Sequence, residues 1–466
     1  MDVMQDDRIH QILHPGSVAI VGVPRGLKMG RLFLTAVREQ GFDGPIYPVN
    51  PNAHEIEGLK CYSSLMEVPD QVDLAIVLVP GEHVLDVIRQ CGKKGVKGAV
   101  LFSSGFRETG TPRGRAMEEE ILREAKEGGV RLIGPNCMGL YVPEAGLSFF
   151  PQLPRESGDV GLISQSGSLG HILGRISWDV GIRFSKAVSI GNECDLDSAD
   201  FMAYLGHDQK TRVIGAYLEG VKDGRKFFNA LRETCSRKPV VIWKVGLTED
   251  GRKAALSHTG AMGGDGRIWD SLIRQCGALR VQGFEGFVDL LVGLAMLPDD
   301  PGGRLAVLSG PGGFAVAAAE ACAMEGLSLA AITERTKKRL LEVVPPSGTS
   351  VRNPVDVGLS ASTEIHIYTE AARILAEDRN VDALVVIGVG LTLEKNEILA
   401  DALVEIKEQH EKPVMVVRLP WLPVEISRWL AASKIPTFET AERAIWSYAR
   451  TVSYWRWRRD KYGISM

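Results

Sequence analysis

Short, unbroken apolar runs, each closing on a turn and followed by a helical pattern, recur from one end of this chain to the other. The first set is Val18-Ala19-Ile20-Val21-Gly22, Ile46 to Asn50, Leu74 to Val79, Gly98 to Phe102 and Arg131 to Gly134. Between the first two lies a helical stretch, Leu32 to Gln40, closed by Gly41. A strand that is apolar at every position must be covered on both faces. Helices alternating with such strands supply that cover, which requires a parallel α/β sheet. Residues 1–142 are therefore expected to form a Rossmann-like unit.

Pro143 to Gly158, rich in Pro, Gly and Ser, reads as a linker. A second unit, 158–298, opens with Val160 to Ser164, continues with Arg212 to Leu218 and Pro239 to Val245, and closes on a helix from Gly286 to Met296. Pro298 to Gly303 marks the next boundary. A third unit, 303–466, contains Leu305 to Leu308, Ala383 to Ile387 and Pro413 to Val417. The fold class expected is α/β, with three parallel-sheet domains in series. Its last segment, Trp446 to Tyr462, holds three of the eight tryptophans among basic residues. Such a tail suits either a partner interface or a terminal helix packed on its own domain.

Composition narrows the function. With 54 basic and 58 acidic residues the net charge is −4, which favours neither nucleic acid nor an anionic membrane surface as partner. No uncharged apolar run reaches the roughly 18 residues of a membrane span. Met1 to His10 carries three aspartates and no apolar block, unlike a secretory signal. The seven cysteines (61, 91, 137, 194, 235, 276, 322) are scattered without metal spacing, the pattern of reduced thiols in a cytoplasm. His10 and His14 have the i, i+4 spacing of a helical metal pair, but Pro15 follows and no third ligand is evident, so no metal site is assigned.

Ligands of open parallel sheets sit at the carboxyl ends of the strands. The loop Gly22 to Gly30 offers glycines for close approach to a phosphate, with Arg25 and Lys28 for charge. Its glycine spacing, and Asn50 in place of an acid at the end of the second strand, argue against a nicotinamide dinucleotide; a plain helix-on-strand turn would also use such glycines. Ser164-Gln165-Ser166-Gly167-Ser168-Leu169-Gly170 places hydroxyls and glycine at a helix N-terminus, either an anion site or an ordinary N-cap. Ser164 and Ser168 stand where an esterase elbow needs glycine. Glu219 follows the strand Ile214 to Leu218, placed to hold one imidazole nitrogen or merely exposed at a strand end. His258 lies in Ala254 to Gly264, a run of small residues that reads as a mobile loop, so it is either a reactive group or a surface histidine. Ser309-Gly310-Pro311-Gly312-Gly313-Phe314-Ala315 matches G-x-G-x-x-A with Glu334 beyond it, a dinucleotide turn or a tight packing turn. There is no P-loop for ATP.

Taken together these segments resemble the α subunit of the NDP-forming acyl-CoA synthetases, the ADP-forming acetate–CoA ligases related to succinyl-CoA synthetase. The resemblance runs through Ser17 to Gly30, Tyr47 to Pro51, Val79-Pro80, Ser103 to Phe106, Gly134 to Gly139, Ser164 to Gly170, Gly191 to Asp197, Ser257 to Ala261 and Val351 to Asp356, nearly the whole chain. It implies a CoA-binding domain followed by two flavodoxin-like domains. It also implies coenzyme A contacts at Gly22, Arg25, Lys28, Asn50, Pro51, Val79, Pro80, Ser103, Gly105 and Asn136. Ser166, Gly167, Ser168 and Gly260 would hold phosphate, and Glu219 would orient a phosphorylated His258. The activity implied interconverts acyl-CoA, phosphate and ADP with carboxylic acid, CoA and ATP. None of the three units looks like an ATP-grasp module, so ADP or ATP and Mg2+ are expected on a separate β subunit, in a hetero-oligomer. Two departures stand out: Pro24 in the first loop, and S-G-P-G-G in the third unit where N-A-G-G is usual. A CoA-binding regulatory protein without turnover is the alternative from another class; a nicotinamide oxidoreductase is a third.

Overall fold

The computed structural model describes residues 7–26, 28–253, 265–299, 301–388, 390–420 and 422–463. The chain divides into two compact units, residues 1–177 with 183–282, and residues 178–182 with 283–466.

The first unit holds two large sheets and a two-stranded one, Glu55–Ile56 with Leu59–Lys60. One has five parallel strands in the spatial order Ile46–Val49, Val18–Val21, Leu74–Val77, Gly98–Leu101, Arg131–Ile133. Val18 pairs with Ile46 on one side and Leu74 on the other, so the winding direction reverses at the first strand. That reversal opens a crevice at the carboxyl ends, where ligands of such sheets bind. The helix Gly81–Lys94 shows how the cover is built. Val84, Val87, Ile88 and Cys91 recur at three- and four-residue spacing and are buried, and Gly95 ends the helix at φ 73°.

The second sheet orders Leu279–Val281, Val240–Lys244, Val213–Leu218, Val160–Ser164, Phe184–Ser189 and Gly139–Tyr141. The last of these is antiparallel to Phe184–Ser189. Residues 139–141 thus leave the first sheet and complete the edge of the second, which stitches the two together. Phe184–Ser189 escapes an apolar-run search because it reads F-S-K-A-V-S, yet every residue in it is buried. Lys186, with no exposed surface, is neutralised by Glu144 at 2.9 Å and Asp208 at 3.0 Å. His14 bonds the same Glu144 at 3.0 Å, and His10 bonds the Tyr204 hydroxyl at 3.0 Å, so both histidines have polar partners within this network. Removing one partner of a buried pair strands the other charges. Lys186→Met is expected to lower unfolding free energy by about 3–5 kcal/mol, measured by urea denaturation; a loss below about 1 kcal/mol would mean the network behaves like a surface pair.

In the second unit the strand order is Ser328–Leu329, Arg304–Ser309, Ala383–Ile387, Val414–Val417, Thr437–Phe438, with Val355–Asp356 also paired to Arg304–Ser309. The Val351 to Asp356 turn is a clamp on this sheet. Asn353 donates to Leu305 O at 2.7 Å and Ala330 O at 3.0 Å, and accepts from Val307 N at 2.9 Å. The glycines of Ser309 to Ala315 answer to crowding. A Cβ on Gly310 would fall 2.1 Å from the Tyr368 hydroxyl, and one on Gly312 would fall 2.6 Å from an Asp356 oxygen. The tail forms the helix Ala441–Tyr462, which buries Tyr448, Tyr454 and Trp455 and packs on the helices Gly283–Met296 and Gly312–Met324. Arg443 clamps Asp289 through two bonds of 2.7 and 2.8 Å. The tail is therefore a terminal helix packed on its own unit. Among the described residues no helix is long and apolar enough to cross a membrane.

Candidate active site

The loops that leave the first sheet and the loop that leaves the central strand of the second meet at one cleft of about 480 Å³. Leu78 to Gly81, Phe102 to Ser104 and Asn136 to Met138 form one wall, and Gln165 to Ser168 form the other. Of the residues singled out in the sequence, the cleft gathers Val79, Pro80, Ser103, Asn136, Ser166, Gly167 and Ser168.

Local constraints hold these walls. Gly22 has φ 91°, and a Cβ there would lie 2.9 Å from Val79 N, so only glycine lets the ends of the first and third strands approach. The Ser103 hydroxyl donates to Val79 O and its carbonyl accepts from Asn136 N at 2.9 Å. These two bonds lash three of the loops into one surface. Asn136 takes φ 57°, a conformation rare for a side-chain-bearing residue and often found at binding sites. Gly105, at φ 106°, donates its N–H to Glu108.

On the opposite wall, Ser166 precedes the helix Gly167–Val180. Its hydroxyl lies 3.3 Å from that of Ser168, and Ser164 donates to Ser166 O at 2.7 Å. Ser166 Oγ accepts from Leu169 N at 3.4 Å and so caps the helix, while the N–H groups of Gly167 and Ser168, ahead of Leu169, belong to the cleft-lining residues. Hydroxyls and N–H groups converging in this way suit an oxyanion.

Gln165 is the residue that the sequence did not single out. It is buried and uses its whole amide. Its Nε2 donates to Glu193 Oε2 and to Gly220 O, each at 3.0 Å. Its Oε1 accepts from Gly220 N at 3.1 Å and from Glu219 N. The side chain thereby joins the serine loop to the segment bearing Glu219, which is itself buried. Glu219 lies outside the cleft lining, beside two polar neighbours. Tyr217 hydrogen-bonds its side chain, and Lys244 Nζ donates to its carbonyl at 2.7 Å. Burial pushes the Lys244 ammonium down to about 8, against the opposing pull of Glu219.

Burial, with Asp197 nearby, pushes the Glu193 carboxyl up from 4.5 to about 7, although Ser198 N and Gln165 both donate to it. The folded chain therefore holds a proton that the unfolded chain releases near 4.5, and the stability tied to that proton is lost as pH rises from 4.5 to 7. Glu193→Gln should flatten the fall in unfolding free energy between these limits by up to about 3 kcal/mol. Equal slopes for the two proteins in urea melts at pH 5 and 8 would refute this.

The remaining candidates lie elsewhere. Arg25 and Lys28 are exposed beside the helix Met29–Gln40 and do not line the cleft. Asn50 is engaged internally, donating to Val23 O at 2.7 Å and accepting from Asn52 N at 2.8 Å, and Pro51 is exposed. His258 and Gly260 lie outside the described residues. The Gly191 to Asp197 segment is a brace. Asp195 pairs with Arg131 at 2.8 Å, and Asp197 caps the helix Ser198–His207 with Asp200 reciprocating. Among the described residues no group of three or more His, Cys, Asp or Glu side chains is placed to hold a metal.

The cleft thus joins the strand-end loops of one parallel sheet to the N-terminus of a helix that follows a strand of the second. Residues 16–143 match a model of CoA-binding domains, and residues 157–294 match the flavodoxin-like domain of succinyl-CoA ligases. The subunit alpha of acetate–CoA ligase [ADP-forming] II from Pyrococcus furiosus is 36% identical over 92% of this chain and 94% of its own length. Acetate–CoA ligase [ADP-forming] I from Archaeoglobus fulgidus is 38% identical over 81% of this chain; the match spans only 54% of that longer protein. Among solved structures, dinucleotide-forming acetyl-coenzyme A synthetase 1 of Ca. Korarchaeum cryptofilum, in complex with phosphate and ADP, is similar with a TM-score of 0.84. It is 34% identical, covering 98% of this chain and 99% of that one. The chain belongs to the ADP-forming acetate–CoA ligase family.

Proposed function

We propose that this chain is the acyl-CoA-handling α subunit of an ADP-forming acyl-CoA synthetase, with its three domains at 1–142, 158–298 and 303–466. The observation that carries this reading is the single cleft shared by the loops of the CoA-binding sheet and Ser166-Gly167-Ser168. Val79, Pro80, Ser103 and Asn136 would hold the thiol end of coenzyme A. Gly22 shapes their wall, Gly105 belongs to the same loop cluster, and Arg25, Lys28, Asn50 and Pro51 are candidates for the outer parts of the cofactor. Phosphate sits on Ser166, Gly167 and Ser168, at a helix end that stabilises negative charge.

A phosphate oxygen attacks the thioester carbonyl, the carbon–sulfur bond breaks, and the thiolate leaves to be protonated by water. The acyl phosphate then meets His258. An imidazole nitrogen attacks phosphorus, the bond to the acyl oxygen breaks, and the carboxylate departs with the electron pair. Glu219 orients the ring and offsets its charge, and Gly260 gives backbone room beside the phosphoryl group. Phospho-His258 finally donates to ADP on a separate ATP-grasp chain, which also carries Mg2+ with the nucleotide. Most of this chemistry is positioning and charge stabilisation rather than covalent help. Seven free cysteines, all buried, accord with a cytoplasmic setting.

The test is to incubate the purified chain with acetyl-CoA and radiolabelled phosphate, following free thiol and acid-labile label. Thiol release with label on His258 is expected. Saturable CoA binding without either product from any acyl-CoA would replace this reading with a regulatory one.

A further inference from the structure

One side chain of the cleft has no part in the relay. Met138 follows the Asn136-Cys137 turn, and its N–H is bound to Ser189 Oγ at 3.0 Å. Its side chain lies against the helix end: a Cβ on Gly167 would fall 2.6 Å from the Met138 Cγ methylene. Met138 also lines a second space, a 10 Å³ cavity walled by Phe33, Leu74, Val100, Leu140 and Phe149. That space barely equals one water, and its walls are almost wholly apolar. The hydroxyl of Ser148, the one side-chain polar group there, already donates to Phe150 O at 2.7 Å. The half-buried Met138 is therefore a partition between a polar reaction cleft and the dry interior behind it.

We propose that Met138 sets the upper length of the acyl group, with room for longer apolar chains once the side chain at 138 is smaller. This rests on the functional reading above. If phosphate lies on residues 166–168 and the thiol enters past residues 79–104, the carbonyl carbon sits between them. The acyl tail then leaves toward the one cleft side chain that also borders the apolar space behind it, which is Met138. Methionine suits a boundary of this kind, being unbranched and able to fill an irregular gap. Cys137, its neighbour, offers no competing chemistry, since burial holds its thiol up at about 12.

The experiment measures thiol release by the full chain in phosphate, with acetyl-, butyryl- and hexanoyl-CoA. Met138→Ala should raise the hexanoyl-to-acetyl ratio of kcat/KM by about tenfold or more, the usual discrimination per methylene in an apolar pocket. Met138→Phe should move the ratio the other way. Opposite shifts cannot come from general loosening of the fold, and if the alanine variant unfolds, the phenylalanine variant still decides. An unchanged ratio in a folded variant, with the parent active, overturns the proposal alone. No thiol release by the parent with any of the three overturns the functional reading, and this proposal with it.

Discussion

Replacing His258 with alanine is expected to reduce phosphate incorporation to background while CoA still binds the cleft. The imidazole is the only side chain in the proposed relay that bonds to phosphorus, and loss of such a nucleophile typically costs about 10⁴-fold or more. The residues proposed to face CoA, in contrast, come from 78–81, 102–104 and 136–138, all outside the Ala254 to Gly264 run. Thiol release in the first step should survive in His258→Ala, because phosphate attack on the thioester precedes any contact with the imidazole. The split is the informative feature: CoA release with labelled acyl phosphate as its co-product, and no label on the protein. It is measured by thiol titration and by mapping label after single-turnover mixing. Label that persists in the variant would remove His258 from the relay. Loss of CoA binding together with label would mean that residue 258 shapes the cleft rather than carrying phosphate.

The strands of the first sheet were legible because both faces of each are buried, so four consecutive apolar letters suffice, as in Val18–Val21 and Leu74–Val77. Phe184–Ser189 was not, because Lys186 is neutralised by Glu144 and Asp208, 42 and 22 positions away, and a local pattern cannot show that. The site divides in the same way. Ser166 to Ser168 could be found from glycine and hydroxyls ahead of a helix, a signal contained in one segment. Asn50 was legible as a loop residue but not as an internal staple, since its partner Val23 lies 27 positions back. Asp195 and Asp197 stood out as a motif, yet their work is bracing, and only the ion pair to Arg131 and the helix cap reveal it. Gln165, one polar letter between two serines, has no periodicity to betray it. Its importance lies in partners 28 and 55 positions away.

That same bonding makes Gln165 the residue whose replacement should do most damage to the resting structure of the site. Gln165→Leu keeps the volume but leaves Glu219 N, Gly220 N, Gly220 O and Glu193 Oε2 without this partner in a buried setting. Each unsatisfied buried group costs about 1–3 kcal/mol, so a destabilisation of about 4 kcal/mol or more is expected in urea melts. Turnover should fall by about 100-fold even at temperatures where the variant stays folded, because Glu219 would lose its fixed distance from Ser166. A purely structural role predicts the first effect without the second. Gln165→Glu separates them further. Its carboxylate can still accept from Glu219 N and Gly220 N, but it would face Glu193 across the 3.0 Å now spanned by an N–H bond. Two carboxyl groups that close hold one proton between them well above the ordinary range. Glu193 is already pushed up to about 7. The variant should therefore work best when that shared proton is present, and its rate relative to the parent should fall steadily as pH rises from about 6 to 8.5. A ratio that stays flat across this range would mean that the Gln165–Glu193 bond does not position Glu219 for turnover.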